Sequence, residues 1–307
     1  DTSNYTTSVA LYDSEKNSIK QVKKLLPVKD GEIGLRQSDA VFHHTIQLPD
    51  LLEKLFEDNN DNISAVSVSS KPRWLESSYM PCFMTGVACA RAISATNSVK
   101  YEEFSHQLGH IVAALYSADK IDYINREFIA FHISGGTTEV LLVKPDDEKV
   151  IKAEAILNSL DLKAGQAIDR VGVMLGLSFP AGARLDELSQ KSEKEYKIKV
   201  KLKDGCCSLS GIENQCRKMF DNGEAKEDIA KFCICSIYSN INAMCEYLDE
   251  HYNGLPIVFA GGVMSNSYIR NKITESFDVC FAKPEFSSDN ASGIAILGYL
   301  NEQKNKN

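Results

Sequence analysis

The residues best placed by type and spacing to hold a cation are His106 and His110, in the stretch SHQLGH. On a helix, positions four apart share one face, so both imidazoles reach a single ion. The spacing alone serves two half-buried or surface histidines equally well. Gln107 stands where the zinc-protease pattern HExxH carries its glutamate base, which disfavours metal-dependent proteolysis. A hard oxygen ligand is on offer in Asp289, within SSDNASGIA. Just before the last helical stretch it reads as an N-cap. Near the histidine pair it completes a three-ligand site with open positions for phosphate oxygens.

Two glycine turns have the chemistry of an anion cradle. In HISGGTTEV, His132, Ile133, Ser134, Gly135 and Gly136 form a turn whose backbone N–H groups can approach a phosphate closely. In FAGGVMSN, a buried strand ends at Gly261 and Gly262 and opens a helix, with Asn266 one turn in and able to bond a ribose or base. A third stretch, AGQAIDRVGVMLGLSFPAG, sets Asp169 on an apolar helix ahead of a Pro180–Gly182 turn. That acid suits ribose hydroxyls, or a bland pairing with Arg170.

The elements that position these groups read as two mixed α/β units. DTSNYTTSVALYDSEKNSIKQVKKLLPV reads as turn, strand, turn, strand, and helical spacing runs over Ala40–Phe56, Met84–Ala95 and His106–Ala118. From Glu127, FIAFHISGGTTEVLLVKPDDEKV reads as a second hairpin with a small-residue turn. Helical stretches follow at Ala164–Leu175, Ala183–Ser192, Ile229–Tyr252 and Ala291–Leu300, with a lysine-rich alternating stretch KEYKIKVKLKDG among them. Two units that each open on such a hairpin predict a duplicated α/β architecture with the lobes around a cleft.

The net charge of −8 supplies no basic field for nucleic acid, and no apolar run is long enough to cross a bilayer. Nine cysteines without repeated spacing read as reduced thiols of a cytoplasmic protein. MTGVACARAISA is a candidate docking helix, with core packing the favoured account.

Each motif is weak alone, but their order is not. DTSNYTTSVALYD, SHQLGH, HISGGTTEV, AIDRVGVMLGLSFPAG, CSLSGIEN, FAGGVMSNSYIRNKI and KPEFSSDNASGIAILGY are collinear over nearly the whole chain. Together they resemble the tRNA threonylcarbamoyladenosine transferases, also called glycoprotease-like or peptidase M22 proteins. The resemblance implies an actin-like (ASKHA) α/β fold, with two ribonuclease-H-like lobes around a nucleotide cleft. One lobe would span residues 1–124, completed by 287–307, and the other 125–286. It implies an iron or zinc ion held by His106, His110 and Asp289, and ATP or threonylcarbamoyl-AMP as ligand. His132–Gly136 would meet the phosphates or acyl adenylate, and Asp169, Gly182 and Asn266 the ribose and base, with Gly261 and Gly262 beside them. The implied reaction transfers threonylcarbamoyl to the adenine beside the anticodon of tRNA, with helper proteins.

The chain departs from the family pattern at Asn4-Tyr5-Thr6, at Thr137, at Gln166, at Glu213, and at Lys71–Pro81, where KPRWLESSYMP replaces a Gly-Pro-Gly loop. These departures keep two alternatives open: a non-catalytic nucleotide- and metal-binding partner in a modification complex, and an actin-fold kinase of a small metabolite. The kinase lacks a candidate catalytic aspartate.

Overall fold

In the first hairpin β1 (Thr6–Asp13), buried along its first four residues, pairs antiparallel with β2 (Ser18–Leu25). The computed structural model describes residues 1–3, 5–27, 35–57, 62–287 and 291–305; Asn4 and Asp289 lie outside them. Two compact units divide the chain. Unit 1 is Asp1–Ile124, Pro145–Lys152 and Ser288–Asn307; unit 2 is Asn125–Lys144 and Ala153–Ser287.

In unit 1 the hairpin is followed by α1 (Gln37–Phe56), β3 (Ala65–Lys71), α2 (Phe83–Asn97), β4 (Lys100–Ser105) and α3 (His106–Ser117), and the last helix, α10 (Ser292–Lys304), returns to it. β3 and β4 pair in parallel, and α2 buries Phe83, Gly86, Val87 and Ala90, so core packing accounts for that apolar helix. β1 and β3 face a shared cavity of about 780 Å³, also bordered by α1, α2 and α10. Neither candidate metal histidine lines it.

A buried polar knot fastens the first hairpin to α1. The His44 ring bridges Thr7 Oγ1 and the Ser3 carbonyl, each at 2.8 Å. Thr7 also meets Gln47 Oε1 at 2.8 Å, and Gln47 Nε2 donates to the Leu25 carbonyl at 3.2 Å. Burial pushes the His44 pKa down to about 4, against the Ser3 hydrogen bond that favours the cation. The unfolded chain therefore takes up the His44 proton first, so acid favours unfolding. We expect a melting temperature flat above pH 6.5 and falling from there toward pH 4, with His44→Gln reducing the slope. An equal slope in the variant would assign the acid lability elsewhere.

Unit 2 is built on one sheet, in the order β7 (Val150–Asn158), β6 (Thr138–Asp146), β5 (Phe128–Ile133), β8 (Ile257–Ala260), β9 (Val279–Phe281). β5 runs antiparallel to β6 and parallel to β8. FIAFHI and IVFA are buried at every position, as strands covered on both faces must be, and so read as unbroken apolar runs. Around the sheet stand α4 (Ala164–Met174), α5 (Gly182–Ser189), α6 (Ser210–Asp221), α7 (Lys226–His251), α8 (Ser267–Ser276) and the short α9 (Pro284–Ser287). The lysine-rich stretch after Ser192 joins no ladder beyond an isolated Lys203–Cys206 bridge. All nine cysteines are free thiols.

Candidate functional site

β4 runs directly into α3, and Ser105 caps that helix through its hydroxyl, which accepts from Leu108 N–H at 3.3 Å. His106 and His110 open the first turn on one face, their rings edge-to-face at 4.4 Å and their Nε2 atoms 3.0 Å apart. Two imidazole nitrogens bonded to one cation at about 2.0–2.1 Å stand 3.0 Å apart when they subtend roughly 95°. The contact between the rings is itself a hydrogen bond, and a cation would have to replace the proton that the two nitrogens share. His106 Nδ1 lies 2.6 Å from Asp1 Oδ2. A carboxylate only accepts, so Nδ1 carries the proton and the Nε2 lone pair faces His110. Asp1 is itself fixed, because Oδ1 accepts from Ser3 N–H at 2.8 Å and its side chain is only 1% exposed.

The third proposed ligand, Asp289, lies outside the described residues. The N-cap position of α10 is Ala291, whose side chain makes no capping hydrogen bond. α10 nevertheless begins against the histidine turn: a methyl on Gly293 would stand 1.8 Å from the Gly109 carbonyl oxygen, between the two histidines in sequence. Among the described residues, no group of three or more His, Cys, Asp or Glu forms a metal cage.

The glycine turns lie in unit 2, linked by a closed ring of contacts. β5 turns through Ser134–Gly136 into β6, with Ser134 N–H donating to the Thr137 carbonyl at 2.8 Å. Gly135 and Gly136 are exposed, and a Cβ at either would meet nothing within 4 Å, so their backbone is open to a ligand. The start of α4 presses on this turn. Ala164 N–H donates to Thr138 Oγ1 at 2.9 Å, and a methyl on Gly165 would stand 2.5 Å from Gly135 Cα.

Further along α4, Asp169 Oδ1 accepts from Ala181 N–H at 2.8 Å and so holds the turn ending at Gly182. Burial lifts this carboxyl above its ordinary value, against that hydrogen bond. α5 carries Asp186, whose carboxylate takes the Ser267 N–H at 2.9 Å and so holds the start of α8 beside Asn266. Asn266 caps α8, Oδ1 accepting from Ile269 N–H at 3.0 Å. Gly261 closes the ring: φ is +97°, and a Cβ there would lie 2.3 Å from the Ile133 carbonyl oxygen, so only glycine fits. Gly262 next to it is open, nothing lying within 4 Å of a built Cβ.

These contacts refine the residue list. His132 and Ile133 are buried in β5, which leaves Ser134–Gly136 as the accessible part of that motif. Asp169 holds a turn rather than Arg170; Arg170 pairs with Glu213 at 2.9 Å. Gln166 accepts from the Lys163 N–H at 3.2 Å, so the amide makes the helix-start contact a glutamate would make. Asp1, Gly165 and Asp186 escaped sequence reasoning. For Gly165 there was a signal, since a glycine within a helix costs about 1 kcal/mol against alanine and marks a close approach. For the two acids there was none.

Among solved structures, the chain is similar to component A of (R)-2-hydroxyglutaryl-CoA dehydratase from Acidaminococcus fermentans (TM-score 0.53, 15% identity, 98% of this chain and 99% of that one). It is also similar to full-length HypF in the phosphate- and nucleotide-bound form (TM-score 0.54, 15% identity, 98% of this chain), and spans 56% of that chain's length. At such identities the likeness defines the fold alone. The class is thereby set: an actin-like α/β protein with a carboxylate-oriented histidine pair in one unit and an open glycine turn in the other. The chain belongs to the TsaD family, whose model, tRNA N6-adenosine threonylcarbamoyltransferase, matches residues 31–296. Relatives of that name include one from Thermosipho africanus, 28% identical over 95% of this chain and 90% of its own length. Another, from Campylobacter fetus, is 28% identical over 98% of this chain and 90% of its own length.

Proposed function

We propose that the protein transfers a threonylcarbamoyl group from its adenylate to the N6 amine of the adenine beside a tRNA anticodon. The observation that supports this most is the family match, in a chain whose His106 and His110 pack ring against ring on one face of α3. His106, His110 and Asp289 would hold one divalent cation, iron or zinc. When bound, that ion supplies Lewis acidity toward carbamoyl or phosphoryl oxygens. Asp1 fixes the His106 tautomer. Gly135 and Gly136 of the open turn, with Gly262, offer backbone N–H groups to the adenylate phosphate, and Asp169, Gly182 and Asn266 border its ribose and base. In the transfer, N6 bonds to the carbamoyl carbon, the bond from that carbon to the phosphate oxygen breaks, AMP leaves, and one N6 proton is released. Holding the reactants together is the chain's main contribution.

We propose helper proteins that deliver the adenylate, and action in the cytoplasm. Among the described residues no helix is long and apolar enough to cross a membrane. The test is transfer itself: protein, tRNA, threonylcarbamoyl-adenylate and helper proteins, with the modified nucleoside read by mass spectrometry. Product above the no-protein control is expected. Nucleotide binding without any product would assign the chain the non-catalytic partner role instead.

A further inference from the structure

Lys71–Pro81, one of the segments that depart from the family pattern, sits in unit 1 beside the histidine pair. At one end the Pro72 carbonyl accepts from Gln107 N–H at 3.0 Å, in the first turn of α3. Beyond its other end, the Phe83 ring lies edge-on to His106 at 5.9 Å. Between these anchors the loop turns back on itself, Ser78 Oγ accepting from Arg73 N–H at 3.0 Å.

What the loop presents is unusual for an acidic protein. Trp74 is 44% exposed and Tyr79 is 65% exposed. The ammonium groups of Lys71 and Lys149 each lie 4.7 Å from the Trp74 ring centroid, and Lys149 is held there by donating to the Glu103 carbonyl at 3.0 Å. Two like charges over one indole repel, and an anion arriving there relieves the repulsion. Arg73 adds a third cation, against Glu76 on the same loop; the nearby Glu103 carboxylate is engaged by the Tyr101 hydroxyl at 2.8 Å.

Exposed aromatic faces interleaved with cations are what unstacked nucleotides bind: bases stack on the rings, and phosphates meet the ammonium groups. We infer that Trp74 and Tyr79, with Lys71 and Lys149, form a platform for the single-stranded anticodon loop of the acceptor RNA, next to His106 and His110. This inference rests on the transferase reading for the identity of the RNA. It makes the acidic net charge intelligible: recognition is confined to one loop rather than spread as a basic face.

Trp74 is the chain's one tryptophan, so its fluorescence reports the platform directly. The full protein is titrated with a short hairpin RNA carrying an anticodon-type loop, and with a blunt RNA duplex of equal charge. The hairpin is expected to quench Trp74 in a salt-sensitive manner, with the duplex at least tenfold weaker. Tyr79→Ala and the double variant Lys71→Ala/Lys149→Ala should each weaken hairpin binding about tenfold. In the transfer assay, Trp74→Ala should raise the KM for tRNA about tenfold at nearly unchanged kcat and bound metal, and Trp74→Phe should restore it.

Quenching equal for hairpin and duplex, or an unchanged tRNA KM in Trp74→Ala, overturns the platform while active wild-type protein leaves the transferase intact. Quenching by a helper protein and not by the hairpin also overturns it, and assigns the patch to a protein partner. Hairpin quenching with no transfer at all supports the platform and removes the transferase.

Discussion

His110→Ala, like His106→Ala, is expected to leave the purified protein with less than a tenth of the metal held by the wild type, and to cut threonylcarbamoyl transfer at least a hundredfold. The reason is geometric. The two imidazoles share one face of α3 with their Nε2 atoms 3.0 Å apart, and removing either leaves a lone imidazole with one sequence-distant carboxylate, Asp289. Asp1→Asn should do less, weakening metal affinity about 10- to 100-fold, because it relaxes the His106 tautomer without removing a ligand. Elemental analysis of the dialysed proteins checks the order, with circular dichroism to show that each variant is folded. Full metal content in both histidine variants would remove the cation from this site.

The second large effect belongs to Gly293→Ala. A methyl at Gly293 meets backbone on every side: the Gly109 oxygen at 1.8 Å, its carbonyl carbon at 2.7 Å and Ala113 N at 2.8 Å. None of these atoms can rotate away, so α10 and α3 must separate. Overpacking of this kind costs about 3 kcal/mol or more, which outweighs the roughly 1 kcal/mol that alanine gains over glycine within a helix. Gly109→Ala is the control. Its methyl meets the Ile294 side-chain ends at 2.8 and 2.9 Å, atoms that a rotamer change can move, so the loss should be far smaller. Urea unfolding measures both, and metal content should fall with Gly293→Ala because α3 carries the two histidines. Equal stabilities for the two variants would mean that the helix crossing tolerates a wider spacing than its geometry shows.

Local pattern made much of this protein legible. His106 and His110 share a face because four residues make about one helical turn, and α3 begins at His106 as the spacing predicts. FIAFHI and IVFA announce fully buried strands, and Gly261 directly after IVFA announces a turn, because strand burial and a φ of +97° constrain residue type at the position itself. Collinear motifs carried the family, and the match over residues 31–296 agrees with them.

Partners far apart in the chain were decided only by tertiary packing. Nothing in the sequence joins Asp1 to His106, 105 positions away, or Asp186 to the Ser267 N–H, 81 positions away. A carboxylate looks the same in sequence whether it caps a helix, orients an imidazole or faces water. Gly135 and Gly165 are alike in sequence, yet one leaves the turn open and the other lets α4 reach it. Lys149 reaches Trp74 from a hairpin tip that groups with unit 1, while most of that hairpin belongs to unit 2. Residue type and spacing set which groups can do chemistry, but which of them meet depends on how the elements stack, and that is a property of the whole packed core rather than of any window along the chain.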